Sequence, residues 1–131
     1  MTNVLLVEDD AWLAETEAAV LRKASYEVTV APHALAAIEF VDELAPDVII
    51  LDVLLAGSTG FALLNELQSH GDTNTIPIIL CTNLAEQFSR SELEKYGVRN
   101  VVDKTTMHPE DLVVAVRAVI ETEDENENAS N

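Results

Sequence analysis

The stretch Pro46-Asp47-Val48-Ile49-Ile50-Leu51-Asp52 sets four consecutive apolar residues, three of them β-branched, between a proline turn and an acid. An uncharged run of that length, bounded by turn residues, reads as a strand buried on both faces, the habit of a parallel sheet. Similar runs recur outward from it at Val4–Val7, Glu27–Val30, Ile76–Leu80 and Val98–Val102. Between them the apolar period changes to that of a helix. Ala34, Ile38, Val41 and Ala45 form one stripe, Leu63, Leu64 and Leu67 a second, and Leu112, Val113, Val116, Val119 and Ile120 a third. The spacing predicts two further, less regular helices over Ala11–Ala24 and Ala85–Tyr96. Gly71 and Gly97 stand where helices should stop, and Pro109 fits a first helical turn that Glu110 and Asp111 complement electrostatically. Five strands alternating with five helices predict an α/β fold with helices on both faces of the sheet.

The chain has 131 residues, enough for one domain, with 24 acidic and 7 basic side chains and a net charge of −17. A hydrophobic fraction of 48% separates it from acidic disordered chains. The charge disfavours direct nucleic-acid binding and docking on anionic lipid. A lone cysteine, Cys81, excludes an internal disulfide and suits a reducing cytoplasm. The start, Met1 to Glu8, has too short an apolar run for a signal peptide or membrane span. The expected organisation is a domain over residues 1–120, followed over 121–131 by an acidic disordered tail or truncated linker.

In open α/β sheets, ligands collect beyond the carboxyl ends of the strands. The predicted strands end in Glu8-Asp9-Asp10, Asp52, Cys81-Thr82-Asn83 and Asp103-Lys104. Clustered carboxylates repel one another unless a cation offsets them, and Mg²⁺ commonly binds through one or two carboxylates plus a phosphoryl oxygen. A carboxylate beside such an ion, with a lysine and a hydroxyl nearby, can attack phosphorus. The constellation therefore points to phosphoryl transfer onto Asp52. Rival readings are a turn-capping Asp52, a Lys104 paired with Asp103 at the surface, and a Thr82 present only as a strand former. Asp10 reads as the cap of the first helix and Cys81 as a buried core thiol. His33, His70 and His108 share no zinc-ligand spacing. Trp12 reads as a partly exposed aromatic.

Val4-Leu5-Leu6-Val7-Glu8-Asp9-Asp10, the Pro46–Phe61 segment, Ile76–Thr82 and Val101-Val102-Asp103-Lys104 together resemble the response-regulator receiver domain, in particular stand-alone chemotaxis-type receivers. The resemblance spans roughly residues 3–120. It implies a flavodoxin-like doubly wound parallel sheet of order 2-1-3-4-5. It implies that Asp52 accepts phosphate from a sensor histidine kinase or phosphotransfer protein. Glu8, Asp9, Asp52 and the backbone carbonyl of Leu54 would hold Mg²⁺, while Thr82 and Lys104 would contact the phosphoryl oxygens. Output would pass to a downstream protein through the face of helix four, strand five and helix five, and a second copy of the chain is a further candidate partner.

Three positions depart from the family pattern: Val101, Thr105 and Ala56, the last standing where the loop after the acceptor commonly has proline. Val101 replaces an aromatic that the family often uses as a moving gate. Thr105 replaces the usual cis proline, and a non-proline cis bond costs about 2.5–4 kcal/mol, so a trans bond with an altered loop is one expectation and a strained exception the other. Leu54 and Leu84 occupy positions that tune phosphate lifetime, and their apolar side chains predict slow to moderate spontaneous hydrolysis. Enzymes on related folds fit poorly: the acids after strand one replace a flavin-phosphate loop, Leu54 replaces the second aspartate of dehalogenase-type phosphatases, and no P-loop is present. The remaining alternative is an unphosphorylated interaction module of the same fold.

Overall fold

The computed structural model describes residues 1–52, 58–69, 75–82 and 89–129. The elements run β1 (Asn3–Val7), α1 (Ala11–Lys23), β2 (Glu27–Ala31), α2 (Ala34–Leu44), β3 (Val48–Asp52), α3 (Ser58–Ser69), β4 (Ile78–Thr82), α4 (Arg90–Glu94), β5 (Val98–Asp103) and α5 (Pro109–Ala129). The five strands form one parallel sheet in the order β2-β1-β3-β4-β5, as the resemblance implied.

Alternation along each strand divides the core into two layers, although every residue of the central runs is apolar. Leu5, Val7, Ile49, Leu51, Ile78 and Leu80 pack with α2, α3 and α4, including Val41, Leu64 and Leu93. Val4, Leu6, Val48, Ile50, Ile79 and Cys81 pack with Ala14, Ala18 and Leu21 of α1 and Leu112, Val116 and Val119 of α5. Successive strand side chains point to opposite faces, so a strand covered on both sides is apolar throughout. The same period of two orients the acids at the strand ends. Glu8 continues the series Val4, Leu6, and Asp52 continues Val48, Ile50. Both acids therefore emerge on the α1/α5 side.

The element ends have local causes. Asp10 caps α1, its side chain accepting from the Leu13 N–H at 3.0 Å. β4 begins at Ile78, two residues later than its apolar run suggests. Pro77 has no N–H to donate, although its carbonyl accepts from Ile49 at 3.0 Å. Among the described residues α4 spans Arg90–Glu94, and Ser89 caps it by accepting from the Glu92 N–H. A residue whose hydroxyl caps a helix is outside that helix, and the apolar period does not register it. Gly97 turns the chain out of this segment with φ +80°. A Cβ there would lie 2.7 Å from the Gln68 side-chain nitrogen.

α5 starts at Pro109, and the Asp111 side chain accepts from the His108 N–H at 2.8 Å. The helix does not end near residue 120 as expected but continues to Ala129. Glutamate is a good helix former without any apolar stripe, and Glu123 pairs with Arg99 of β5 at 3.3 Å. Leu54, Ala56, Gly71, Asn83, Leu84, the start expected for helix four at Ala85, and residues 130–131 lie outside the described residues.

Candidate functional site

β1, β3, β4 and β5 bring their carboxyl ends to one edge of the sheet. Glu8 follows β1 and is fixed twice: its N–H donates to the Ala31 carbonyl at 3.0 Å, and its Oε1 accepts from the Asp10 N–H at 3.1 Å. Asp52 is the last residue of β3, and its side chain is almost wholly buried. Lys104 follows β5 directly, and its N–H donates to the Thr82 carbonyl at 2.9 Å. Thr82 ends β4 and is fully buried.

The Lys104 ammonium lies between two acids. Its Nζ donates to Glu8 Oε2 at 2.9 Å and also bonds Asp52 Oδ2. The rival pairing of Lys104 with Asp103 does not occur, because Asp103 serves its own turn. Its Oδ1 accepts from the Thr105 N–H at 2.9 Å and the Thr105 hydroxyl at 2.6 Å. The Thr105 hydroxyl, followed by its N–H, holds the Asp103 carboxyl below its ordinary pKa. The Lys104–Thr105 bond is trans, and this Asp103–Thr105 turn is the altered loop that goes with it. Val101 is half-buried against the α2/α3/α4 layer.

One carboxylate oxygen each from Glu8, Asp9 and Asp52 lies within 4.8 Å of the other two. Glu8 and Asp52 are buried and Asp9 is exposed, so the triad opens to solvent on the Asp9 side. It is a set of hard oxygen donors able to hold a metal ion. Burial, reinforced by Asp52, pushes the Glu8 carboxyl up to about 8 against the opposing pull of Lys104 and the Asp10 N–H. Burial also works against the charge on Lys104, but its bonds to Asp52 and Glu8 prevail and hold its pKa above the ordinary value.

The structure thus brings together Glu8, Asp9, Asp52 and Lys104, with Thr82 tied to Lys104 through the backbone. The Leu54 carbonyl falls outside the described residues. Cys81 is buried, as expected, with its thiol against Met107 Sδ at 3.9 Å, and burial pushes its pKa up. Trp12 is 76% exposed at the start of α1. Sequence reading missed one charged residue of this region, Glu17, which is buried in α1. Its signal was position: it stands among Ala14, Ala18 and Leu21 in the inward stripe of the helix.

The pattern of the response regulator receiver domain matches residues 4–117. The chain belongs to that family. It is 31% identical over 120 residues to the sensory transduction protein RegX3 of Mycobacterium tuberculosis, covering 92% of this chain and 51% of that protein. It is likewise 31% identical over 118 residues to the phosphate regulon transcriptional regulatory protein PhoB of Pseudomonas aeruginosa, covering 90% and 51%. The chain spans about half the length of these curated relatives. Among solved structures, the chemotaxis protein CheY4 of Vibrio cholerae superposes with a TM-score of 0.77 at 25% identity, over 91% of this chain and 98% of that one. A receiver domain is a phosphoacceptor of two-component signalling rather than a classical enzyme, and membership implies a histidine kinase as partner. Among the described residues, no helix is long and apolar enough to cross a membrane.

Proposed function

We propose that Asp52 is the phosphoacceptor, taking a phosphoryl group from a phosphohistidine of a sensor kinase or phosphotransfer protein. The observation that carries this reading is Lys104 Nζ bridging Asp52 and Glu8, the two buried members of a triad of oxygen donors. An Asp52 carboxylate oxygen forms the new bond to phosphorus as the phosphorus–nitrogen bond breaks, and the electron pair leaves with the imidazole. Lys104 exchanges its carboxylate partners for a phosphoryl oxygen, and the Thr82 hydroxyl donates to another. Both stabilise charge that is spread over the equatorial oxygens in the transition state. Glu8, Asp9, Asp52 and the Leu54 carbonyl would hold Mg²⁺, which would supply the remaining positive charge; the two buried acids and one exposed acid suit an ion that keeps several waters.

The phosphate state then biases a two-state surface. The face of α4, β5 and α5 is the proposed readout for a downstream protein or a second copy of the chain, in the cytoplasm and without direct nucleic-acid contact. Incubation with Mg²⁺ and acetyl phosphate or phosphoramidate tests the acceptor. Intact mass should rise by one phosphoryl group in the wild type and stay unchanged in Asp52→Asn. An unchanged wild-type mass leaves the unphosphorylated interaction module as the better reading.

A further inference from the structure

Glu17 breaks the rule of its own helix. The inward positions of α1 are Ala14, Glu17, Ala18 and Leu21, and the other three are apolar. Glu17 is 2% exposed, and its Oε1 has no hydrogen-bond partner among the described residues. A buried carboxyl without a partner is among the costlier groups a core can hold, and leucine or isoleucine would fill the stripe without that cost. Such local inconsistencies concentrate at functional sites.

The surroundings of Glu17 say what it acts on. α1 covers the face of the sheet on which Glu8 and Asp52 emerge. The cation whose field reaches Glu17 is Lys104, while Asp52 and Asp10 oppose it. Cys81 of β4 feels the Glu17 charge. From α5 the buried neighbours of this layer are Leu112, Ala115, Val116 and Val119, and from the β2 side Tyr26, Val28 and Val30 pack against it. Tyr26 is therefore the titratable group contributed there, and α5 contributes none from its buried face.

We propose that Glu17 is a positioning residue for phosphoryl transfer, an acid beneath the pocket that competes with the acceptor for the charge of Lys104. This rests on the reading of Asp52 as acceptor. Ionised, Glu17 attracts the ammonium and adds negative potential where an anionic donor must approach. Protonated, it leaves Lys104 to the acceptor. Burial, with Asp52 and Asp10 adding to it and Lys104 opposing, pushes its carboxyl up to about 7, so its charge changes near neutral pH. Phosphorylation at Asp52 adds negative charge nearby and therefore favours proton uptake at Glu17.

The test compares the phosphorylation rate of wild type and Glu17→Gln with Mg²⁺ and acetyl phosphate between about pH 6 and about pH 8.5. Glutamine is neutral throughout and imitates the protonated acid. The two rates should converge toward the acid end, and wild type should fall roughly threefold to tenfold below the variant at the alkaline end. Glu17→Asp should retain a pH-dependent profile. A constant ratio of the wild-type and Glu17→Gln rates across the range overturns the proposal and leaves Glu17 a packing residue. A second readout needs no donor: the side-chain nitrogen resonance of Lys104, followed against pH, should show the transition of its partner Glu8 in both proteins and a further transition near neutrality that Glu17→Gln lacks. Coincident titration curves overturn the proposal even if no variant is phosphorylated, and a lost transition upholds it even if the assignment of Asp52 fails.

Discussion

Glu8 and Glu17 are carboxyls whose folded state favours the proton. Their ordinary value is 4.5, and the fold raises it to about 8 and about 7. Between those limits the native protein binds more protons than the unfolded chain, so its stability falls as pH rises. The contribution of each group is complete below about 4.5 and is lost as pH climbs through its folded value. Urea denaturation without metal should therefore give a lower unfolding free energy at about pH 8.5 than at about pH 5.5. Glu17→Gln should flatten that slope and be the more stable protein at the alkaline end by about 1–3 kcal/mol. A variant no more stable than wild type there would show that the Glu17 carboxylate is compensated in the fold. Single residues also mark what the sequence can disclose. Glu8, Asp52 and Lys104 were legible because each ends an apolar run, where the direction of a parallel sheet concentrates chemistry. Glu17 was not, because helical periodicity is read from apolar residues and treats a charge as outward-facing. The partner of Lys104 was equally hidden, since Asp103 is adjacent in sequence and only the fold brings Asp52 and Glu8 to the ammonium.

The elements follow simple local rules with a few exceptions, and each exception has one cause. Pro77 delays β4, Ser89 caps α4, and helix propensity carries α5 past residue 120. The apolar period marks which residues are buried, whereas a hydrogen-bond donor or its absence marks where an element begins. That is why the existence of the strands and their carboxyl ends were legible and the start of β4 was not. Gly97 joins α4 to β5 under two constraints, a positive φ and the nearby Gln68 amide. Gly97→Ala should destabilise the protein by about 1–2 kcal/mol from the backbone alone. Shortening the obstructing side chain with Gln68→Ala should relieve only the steric part. Chemical denaturation of the two single variants and the double variant separates these contributions.

The whole molecule carries a net charge of −17 on 131 residues, and self-repulsion opposes its compact state. Salt screens that repulsion. The thermal midpoint should rise by several degrees between about 0.05 M and about 1 M NaCl, and scanning calorimetry at fixed pH reads it directly. A midpoint that is flat or falls with salt would mean that specific ion pairs such as Lys104 with Glu8 outweigh the global repulsion. Topology was the most legible property at this scale. Both layers of the core derive from runs that are apolar at every position, and a sheet so built must be covered on both sides.

The bond from the Lys104 N–H to the Thr82 carbonyl fastens the tips of β4 and β5 beside the acid pocket. The two side chains proposed to grip opposite sides of a phosphoryl group thus hang from one crossbar. The backbones that carry them cannot part without breaking that bond, so the two proposed grips share a single mount.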